Sequence, residues 1–130
     1  MPHITQSATV TVPVSDQDRA VAFYTGVLGF ENRLDFTYDS GERWVEVVPP
    51  GAQTALTLVA SDAPGIETRV IFITTDIEGD REEFRRAGVE VGDIMGHDVT
   101  YWGGAPLAGN PPMFLLHDPD GNSFLIVSAT

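Results

Sequence analysis

Hydrophobic and polar residues alternate near the start of the chain, and the pattern then changes to a helical period. Within residues 7–15 every second position from Val10 to Val14 is valine, which is typical of a half-buried strand. Ser15 or Asp16 is a suitable N-cap for a helix. Apolar residues then recur at helical spacing, at Ala20, Phe23, Tyr24 and Val27. The chain therefore begins with a strand followed by a helix.

Three strand-like segments follow this helix, and the whole order then repeats. The first half continues with strands at 31–40, 43–48 and 54–60, separated by turns at Asp39-Ser40-Gly41 and at 49–53. The second half has a strand at 68–75, a helix at 76–88, strand at 89–95 and near 98–102, and a strand–turn–strand at 112–128. The pattern predicts an α+β fold of two βαβββ modules in tandem, residues 1–63 and 64–130.

The two modules resemble each other residue by residue, which indicates an internal repeat. Asp16 matches Asp76, and the pairs Trp44 and Phe114, Pro49 and Pro119, and Gly51 and Gly121 also match. The second module is longer because of a loop at 96–112. Loops of more than about 12 residues in compact domains tend to be functional or disordered. This loop is therefore interpreted as an aromatic lid over a pocket or, alternatively, as a surface insertion.

The charge balance excludes some partners. Seven Lys and Arg residues stand against nineteen Asp and Glu residues, a formal net charge of −12. Nucleic acids and anionic membrane surfaces need cationic partners, so neither is expected to bind. The acidity favours either simple solubility or attraction of a cationic ligand. The lack of cysteine excludes disulfides and thiol nucleophiles. Without a signal-peptide pattern or a long apolar stretch, the expected location is the cytoplasm.

The segment HDPDGNSF, residues 117–124, has the composition of a catalytic or metal site, but a turn accounts for it. Aspartate caps turns, and Gly121 supplies a positive φ. The spacing of a calcium-binding EF-hand loop is absent. His117 is expected to be a structural residue on the strand beside the turn.

The stretches VPVSDQDRAVAFYTGVLGFE, WVEVVPPG and FLLHDPDGNSFLIV resemble the vicinal oxygen chelate superfamily, over almost the whole chain. This group includes glyoxalase I, extradiol dioxygenases, fosfomycin-modifying enzymes and bleomycin-resistance proteins. The resemblance implies the glyoxalase/bleomycin-resistance fold, in which two βαβββ modules form a curled mixed sheet around a central cavity. It also implies a homodimer with cavities at the subunit interface.

Metal-dependent members of this superfamily hold ligands on the first and last strands of both modules. The corresponding positions here carry Thr9, Thr57 (or Ala55), Val70 and Leu125. A catalytic divalent metal needs three or four donors from His, carboxylate or Cys side chains. No metal and no cofactor are therefore expected. The three histidines have no ligand-like spacing, and no nucleophile-elbow motif is present.

Strand alternation predicts which side chains line the cavity. The predicted ligand-binding residues are Thr9, Thr11, Phe36, Tyr38, Trp44, Glu46, Thr57, Phe72, His97, Tyr101, Trp102, Met113 and Leu125. They describe an apolar, aromatic pocket with a few hydroxyls and one carboxylate, the composition of sites for drug-sized ligands. Plain core packing is the alternative for Trp44.

The function that fits best is a metal-free protein that binds a small molecule and sequesters it. The expected ligand is a hydrophobic or aromatic antibiotic, either bleomycin-like or of the polycyclic quinone or enediyne type, and the expected result is self-resistance. The alternative is a metal-independent isomerase, cyclase or lyase of a natural-product pathway, with Glu46, His97 or Asp98 as acid or base. A metal-dependent lyase or dioxygenase would require a different strand alignment.

Overall fold

The computed structural model describes residues 2–96 and 111–129. The chain divides into two compact units, Met1–Gly65 and Ile66–Thr130. The first unit contains β1 (Thr9–Val14), α1 (Gln17–Gly26), β2 (Glu31–Thr37), β3 (Arg43–Val48) and β4 (Ala55–Ala60). The second contains β5 (Glu67–Thr74), α2 (Ile77–Arg86), β6 (Glu90–Val91), β7 (Met113–His117) and β8 (Ser123–Ser128). The predicted α+β class and the repeated βαβββ order are confirmed. Within the described ranges, no helix has both the length and the apolar character needed to cross a membrane.

In the first unit the strands form one sheet in the order β1-β4-β3-β2, with β1 parallel to β4 and the other neighbours antiparallel. The prediction that β1 is a half-buried strand is confirmed, because Val12 and Val14 are fully buried and Thr11 is exposed. The Asp16 side chain accepts a hydrogen bond from Arg19 N at 3.1 Å and so caps α1.

One arginine shows which side of this sheet α1 covers. Arg43 donates to Asp18 of α1 at 2.6 Å and to Asp35 of β2 at 2.8 and 2.7 Å. The hydrogen bond from Arg43 and its positive charge lower the pKa of Asp35. Arg43 shares its face of β3 with the buried Val45 and Val47. The helix therefore lies on the valine face, and the opposite face of the sheet is free of α1.

The second unit has the strand order β5-β8-β7-β6, but β6 is shorter than predicted. The pattern predicts strand over 89–95, whereas β6 covers only Glu90–Val91, followed by an isolated bridge from Met95 to Met113. The backbone carbonyl of Gly92 accepts a hydrogen bond from Arg81 of α2 at 2.7 Å. Gly92 N still donates to the carbonyl of Leu115 at 2.8 Å, so β7 is paired beyond the two residues of β6.

A bulge in β5 shifts its pairing with β8 by two residues and leaves the alternation of faces along β5 unchanged. Glu67 pairs with Ser123 and Ile71 with Leu125, so β5 contains two more residues than β8 between these pairs. Arg69 lies within the bulge with a φ of 62°, in the left-handed region. Beyond the bulge Phe72 stacks on Phe124, with ring centroids 5.4 Å apart. Phe72 lies four residues before the cap Asp76, as the buried Val12 lies four residues before Asp16, so both belong to the helix side of their sheets.

The turn at 118–121 is a closed hydrogen-bonded unit, and its interpretation as a turn is confirmed. Asp118 accepts from Asp120 N at 3.0 Å, from Asn122 N at 2.9 Å and from Asn122 Nδ2 at 2.8 Å. Asn122 Oδ1 in turn accepts from Ile66 N at 2.9 Å. Gly121 has a φ of 85°, which glycine adopts readily. The polar residues of this segment are accounted for by the fold.

Candidate functional site

The candidate site lies on the side of the first unit's sheet that faces away from α1, here called the first open face. Strand register assigns residues to it, because directly paired residues share a face. Thr11 pairs with Thr57, Thr57 with Glu46, and Phe36 with Trp44. Of the predicted site residues, the structure brings together on this face Thr9, Thr11, Phe36, Trp44, Glu46 and Thr57.

Glu46 is the polar centre of the first open face, and three N–H groups hold it. Trp44 Nε1 donates to Glu46 Oε2 at 2.8 Å. Arg33 Nε and Nη2 donate to Glu46 Oε1 at 2.9 and 2.7 Å. The arginine also donates through Nη1 to the carbonyl of Gln53 at 2.7 Å. The carboxylate is therefore fixed in position, and so is the edge of the Trp44 indole.

These contacts determine the charge state of Glu46. The hydrogen bond from Trp44 and the hydrogen bond and positive charge of Arg33 lower the pKa of the Glu46 carboxyl, against the opposing effect of burial. A carboxyl with a lowered pKa is anionic at neutral pH and accepts a proton weakly. The arrangement suits hydrogen-bond recognition better than general acid–base work.

Two threonine hydroxyls lie beside this carboxylate, at positions where metal-dependent members of the resembled superfamily carry ligands. Thr9 Oγ1 and Thr57 Oγ1 are 2.6 Å apart, and Thr9 also donates to the carbonyl of Ala55 at 3.1 Å. Neutral hydroxyls bonded to each other are not the donor set of a catalytic divalent metal. In residues 2–96 and 111–129, no group of three or more His, Cys, Asp or Glu side chains could hold a metal ion.

Large apolar side chains extend the first open face toward β2. Leu34 pairs with Glu46, and it is 45% exposed, while Phe36 is 52% exposed. The rings of Phe36 and Tyr38 meet edge to face with centroids 5.0 Å apart. Exposed aromatic surface next to a fixed polar group is the composition expected of a ligand-binding face.

The second unit has its own open face, opposite α2, and this face is apolar around Leu125 and Val127. Register places Leu125 with Ile71 and Leu115, and Val127 with Met113 and Ile73. Ile71 and Ile73 are 43% and 75% exposed. The predicted residues Met113 and Leu125 lie on this face, although both are almost fully buried.

The predicted orientation of Phe72 is wrong. Phe72 lies on the α2 side of β5, as does Thr74, whose hydroxyl hydrogen-bonds Asp80 of α2 at 2.5 Å. The bulge at Arg69 also affects the superfamily position assigned to Val70. Thr68 donates to the carbonyl of Ser123 at 2.7 Å, as Thr9 does to Ala55. Thr68 and Thr9 therefore make the same kind of contact, from a hydroxyl to a carbonyl of the neighbouring parallel strand.

Other predictions fall elsewhere in the chain. His97, Asp98, Tyr101 and Trp102 lie outside the described residues, as do the strand near 98–102 and most of the 96–112 loop. His117 Nδ1 lies 3.0 Å from Glu90 Oε2 in the second unit. Arg33 was not predicted from the sequence, because it lies at the irregularity between Asn32 and Leu34 in β2, and strand alternation gives no signal there.

Comparison with known proteins identifies relatives over the full length. A family model described as Glyoxalase/Bleomycin resistance protein/Dioxygenase superfamily matches residues 2–126. The uncharacterized protein YetH from Bacillus subtilis (strain 168) is 30% identical over 128 residues, covering 95% of this chain and 98% of YetH.

Two solved structures are similar in both sequence and fold. TnmS3, an antibiotic binding protein from Streptomyces sp. CB03234, is 30% identical with a TM-score of 0.79, and all of each chain is covered. A member of the glyoxalase/bleomycin resistance protein/dioxygenase superfamily from Sphaerobacter thermophilus DSM 20745 is 33% identical with a TM-score of 0.81. That match covers 97% of this chain and 98% of the other.

Proposed function

The chain belongs to the glyoxalase/bleomycin resistance protein/dioxygenase superfamily, and from this membership we propose that it binds and sequesters a hydrophobic, aromatic antibiotic. In this proposal the protein holds the ligand without a metal and without altering it, and so protects the producing cell. The superfamily includes both enzymes and binding proteins, so the side chains of the site must decide between them.

The observation that carries the proposal is the make-up of the first open face. Exposed aromatic side chains lie there beside a carboxylate that is already fixed by Trp44 and Arg33. Preorganised polar groups orient a ligand, and aromatic burial supplies affinity. The similarity to TnmS3, an antibiotic binding protein, supports the same conclusion.

The chemistry of Glu46 favours binding over catalysis. A general base needs a pKa near the working pH and a free path to the proton that it accepts. Glu46 has a lowered pKa and accepts hydrogen bonds from Trp44 and Arg33. The hydroxyl pair of Thr9 and Thr57 supplies neither a metal ligand nor a strong base.

A fluorescence titration with recovery of the ligand tests this proposal. The chain has two tryptophans, so the variant Trp102→Phe leaves Trp44 as the reporter. We expect antibiotics with planar aromatic rings to quench the fluorescence of Trp44 at micromolar concentration and to be recovered unchanged. We also expect the protein that binds them to hold no stoichiometric metal. Replacing Trp44 by alanine in the wild-type chain should weaken binding at least about tenfold, measured by calorimetry because the variant lacks the reporter. A chemically altered ligand would instead identify an enzyme.

The proposed self-resistance is tested by expressing the protein in living cells. Expression in an antibiotic-sensitive host should raise the tolerated concentration of the ligand found by titration, and the Trp44→Ala variant should not. A host that gains no tolerance despite high expression would overturn self-resistance while leaving binding intact. The proposal also includes a cytoplasmic homodimer, which fractionation and analytical ultracentrifugation would test.

A further inference from the structure

The hydrogen-bond capacity of Glu46 is only partly used. A carboxylate offers about four acceptor sites. Oε1 accepts two N–H groups from Arg33, and Oε2 accepts one from Trp44. Among the described residues, one acceptor site of Oε2 has no donor. The Glu46 side chain is 12% exposed, so the carboxylate group is not sealed from ligands.

The charge around this acceptor site is balanced. The guanidinium of Arg33 lies 2.7 Å from Glu46 Oε1 and compensates the negative charge of the carboxylate. The net charge of −12 therefore describes the chain as a whole and not this position. A cation approaching Oε2 also approaches Arg33, and the repulsion offsets part of its attraction to Glu46.

The position of the indole restricts the ligand further. Trp44 and Glu46 are two residues apart on the same face of β3, and the bond from Nε1 holds the ring edge toward the carboxylate. A ligand ring packed on the indole would bring its own edge to Glu46. The group at that edge must be a donor, because Oε2 can only accept.

From these three observations we propose that Glu46 Oε2 selects planar aromatic ligands that carry a neutral hydroxyl or N–H group at the ring edge. This inference rests on the proposed function and names its ligand class. It distinguishes such ligands both from rings without a donor and from cationic ligands of the bleomycin type.

Four matched anthraquinone probes test the selection in the wild-type protein. They are anthraquinone, 2-hydroxyanthraquinone, 2-methoxyanthraquinone and an anthraquinone with a trimethylammonium-methyl group at the same position. A hydroxyl at the 2-position is too far from the quinone carbonyls to form an internal hydrogen bond with them. The pH is chosen so that the phenol is neutral and Glu46 is ionised. A hydrogen bond to a charged acceptor predicts about tenfold to a hundredfold tighter binding of the hydroxyl probe than of the methoxy probe.

Variants assign the selection to Glu46. In Glu46→Leu the ratio of hydroxyl to methoxy affinity should fall to about one, while Glu42→Gln, which changes an exposed carboxylate just before β3, should keep the wild-type ratio. If Glu46→Leu does not fold, the double variant Arg33→Met/Glu46→Leu removes both partners together and should show the same loss. Circular dichroism checks the fold of each variant.

The outcomes separate this inference from the proposed function. Three results would each overturn the selection by Glu46 and leave aromatic binding standing. They are equal binding of the hydroxyl and methoxy probes, tightest binding of the cationic probe, and an unchanged affinity ratio in a folded Glu46 variant. Failure of all four probes to bind would overturn the proposed function for planar aromatic ligands, and the inference with it.

Discussion

At the scale of single residues, Glu46 shows how a carboxylate is held on the face of an interior strand. Trp44 on β3 donates to Oε2 of Glu46, and Arg33 on β2 donates to Oε1. A lowered pKa means that Glu46 stabilises the fold above the pKa it has in the unfolded chain. That contribution is lost as the pH falls through the folded-state pKa.

Replacing Trp44 by phenylalanine tests the largest cause of this lowered pKa. The ring is kept and the N–H group is lost, so the pKa of Glu46 should rise toward its ordinary value and the acid-induced loss of stability should become smaller. A carbon-detected NMR titration of the Glu46 carboxyl measures the pKa. Phe36→Leu, which leaves the indole in place, is the control. An unchanged pKa in Trp44→Phe would show that Arg33 alone determines it.

At the scale of elements, the turn between β7 and β8 depends on one buried carboxylate. Asp118 is 6% exposed and accepts three hydrogen bonds, two of them from the fully buried Asn122. Asp118→Ala should lower the free energy of unfolding by at least about 2 kcal/mol, because buried donors lose their acceptor. The control Asp39→Ala, in an exposed turn, should change it by less than about 0.5 kcal/mol. Chemical denaturation measures both, and equal effects would contradict this account.

The start of α2 provides a second test at this scale. A Cβ atom on Gly79 would overlap the carboxylate of Asp76, which caps the helix by accepting from Gly79 N at 3.0 Å. Gly79→Ala should therefore gain helix propensity and lose the cap, two effects of about 1 kcal/mol each that nearly cancel. In an Asp76→Ala background the same substitution should stabilise by up to about 1 kcal/mol.

A double-mutant cycle measures this coupling. Gly26→Ala at the end of α1, where an added Cβ meets nothing within 4 Å, is the control and should be independent of Asp76. If Gly79→Ala had the same effect in both backgrounds, the overlap with Asp76 would have no energetic consequence.

At the scale of the whole molecule, the net charge of −12 opposes folding by self-repulsion. Sodium chloride up to about 0.15 M reduces the Debye length to about 8 Å and screens distant like charges more than close ion pairs. We therefore expect the free energy of unfolding at neutral pH to rise over this range. Urea denaturation at several salt concentrations measures it. A fall would mean that exposed pairs such as Arg85 and Glu82 contribute more than the repulsion.

Much of the fold could be predicted because it depends on local chemistry. The valine alternation of β1, the Asp16 and Asp76 caps and the 118–121 turn each follow from neighbouring residues. In the site, Trp44 and Glu46 were placed on one face because they are two positions apart on a strand without a bulge.

What the sequence alone determined was the order of elements and the side-chain alternation within regular strands, since both repeat with a fixed period. Tertiary structure decided the rest. Two extra residues in β5 made Ile71, and not Arg69, the partner of Leu125, because strand pairing and not the sequence period sets the register after a bulge. Tertiary structure also decided that Arg33 hydrogen-bonds Glu46 and that Thr9 hydrogen-bonds Thr57, because no local sequence pattern encodes contacts between strands.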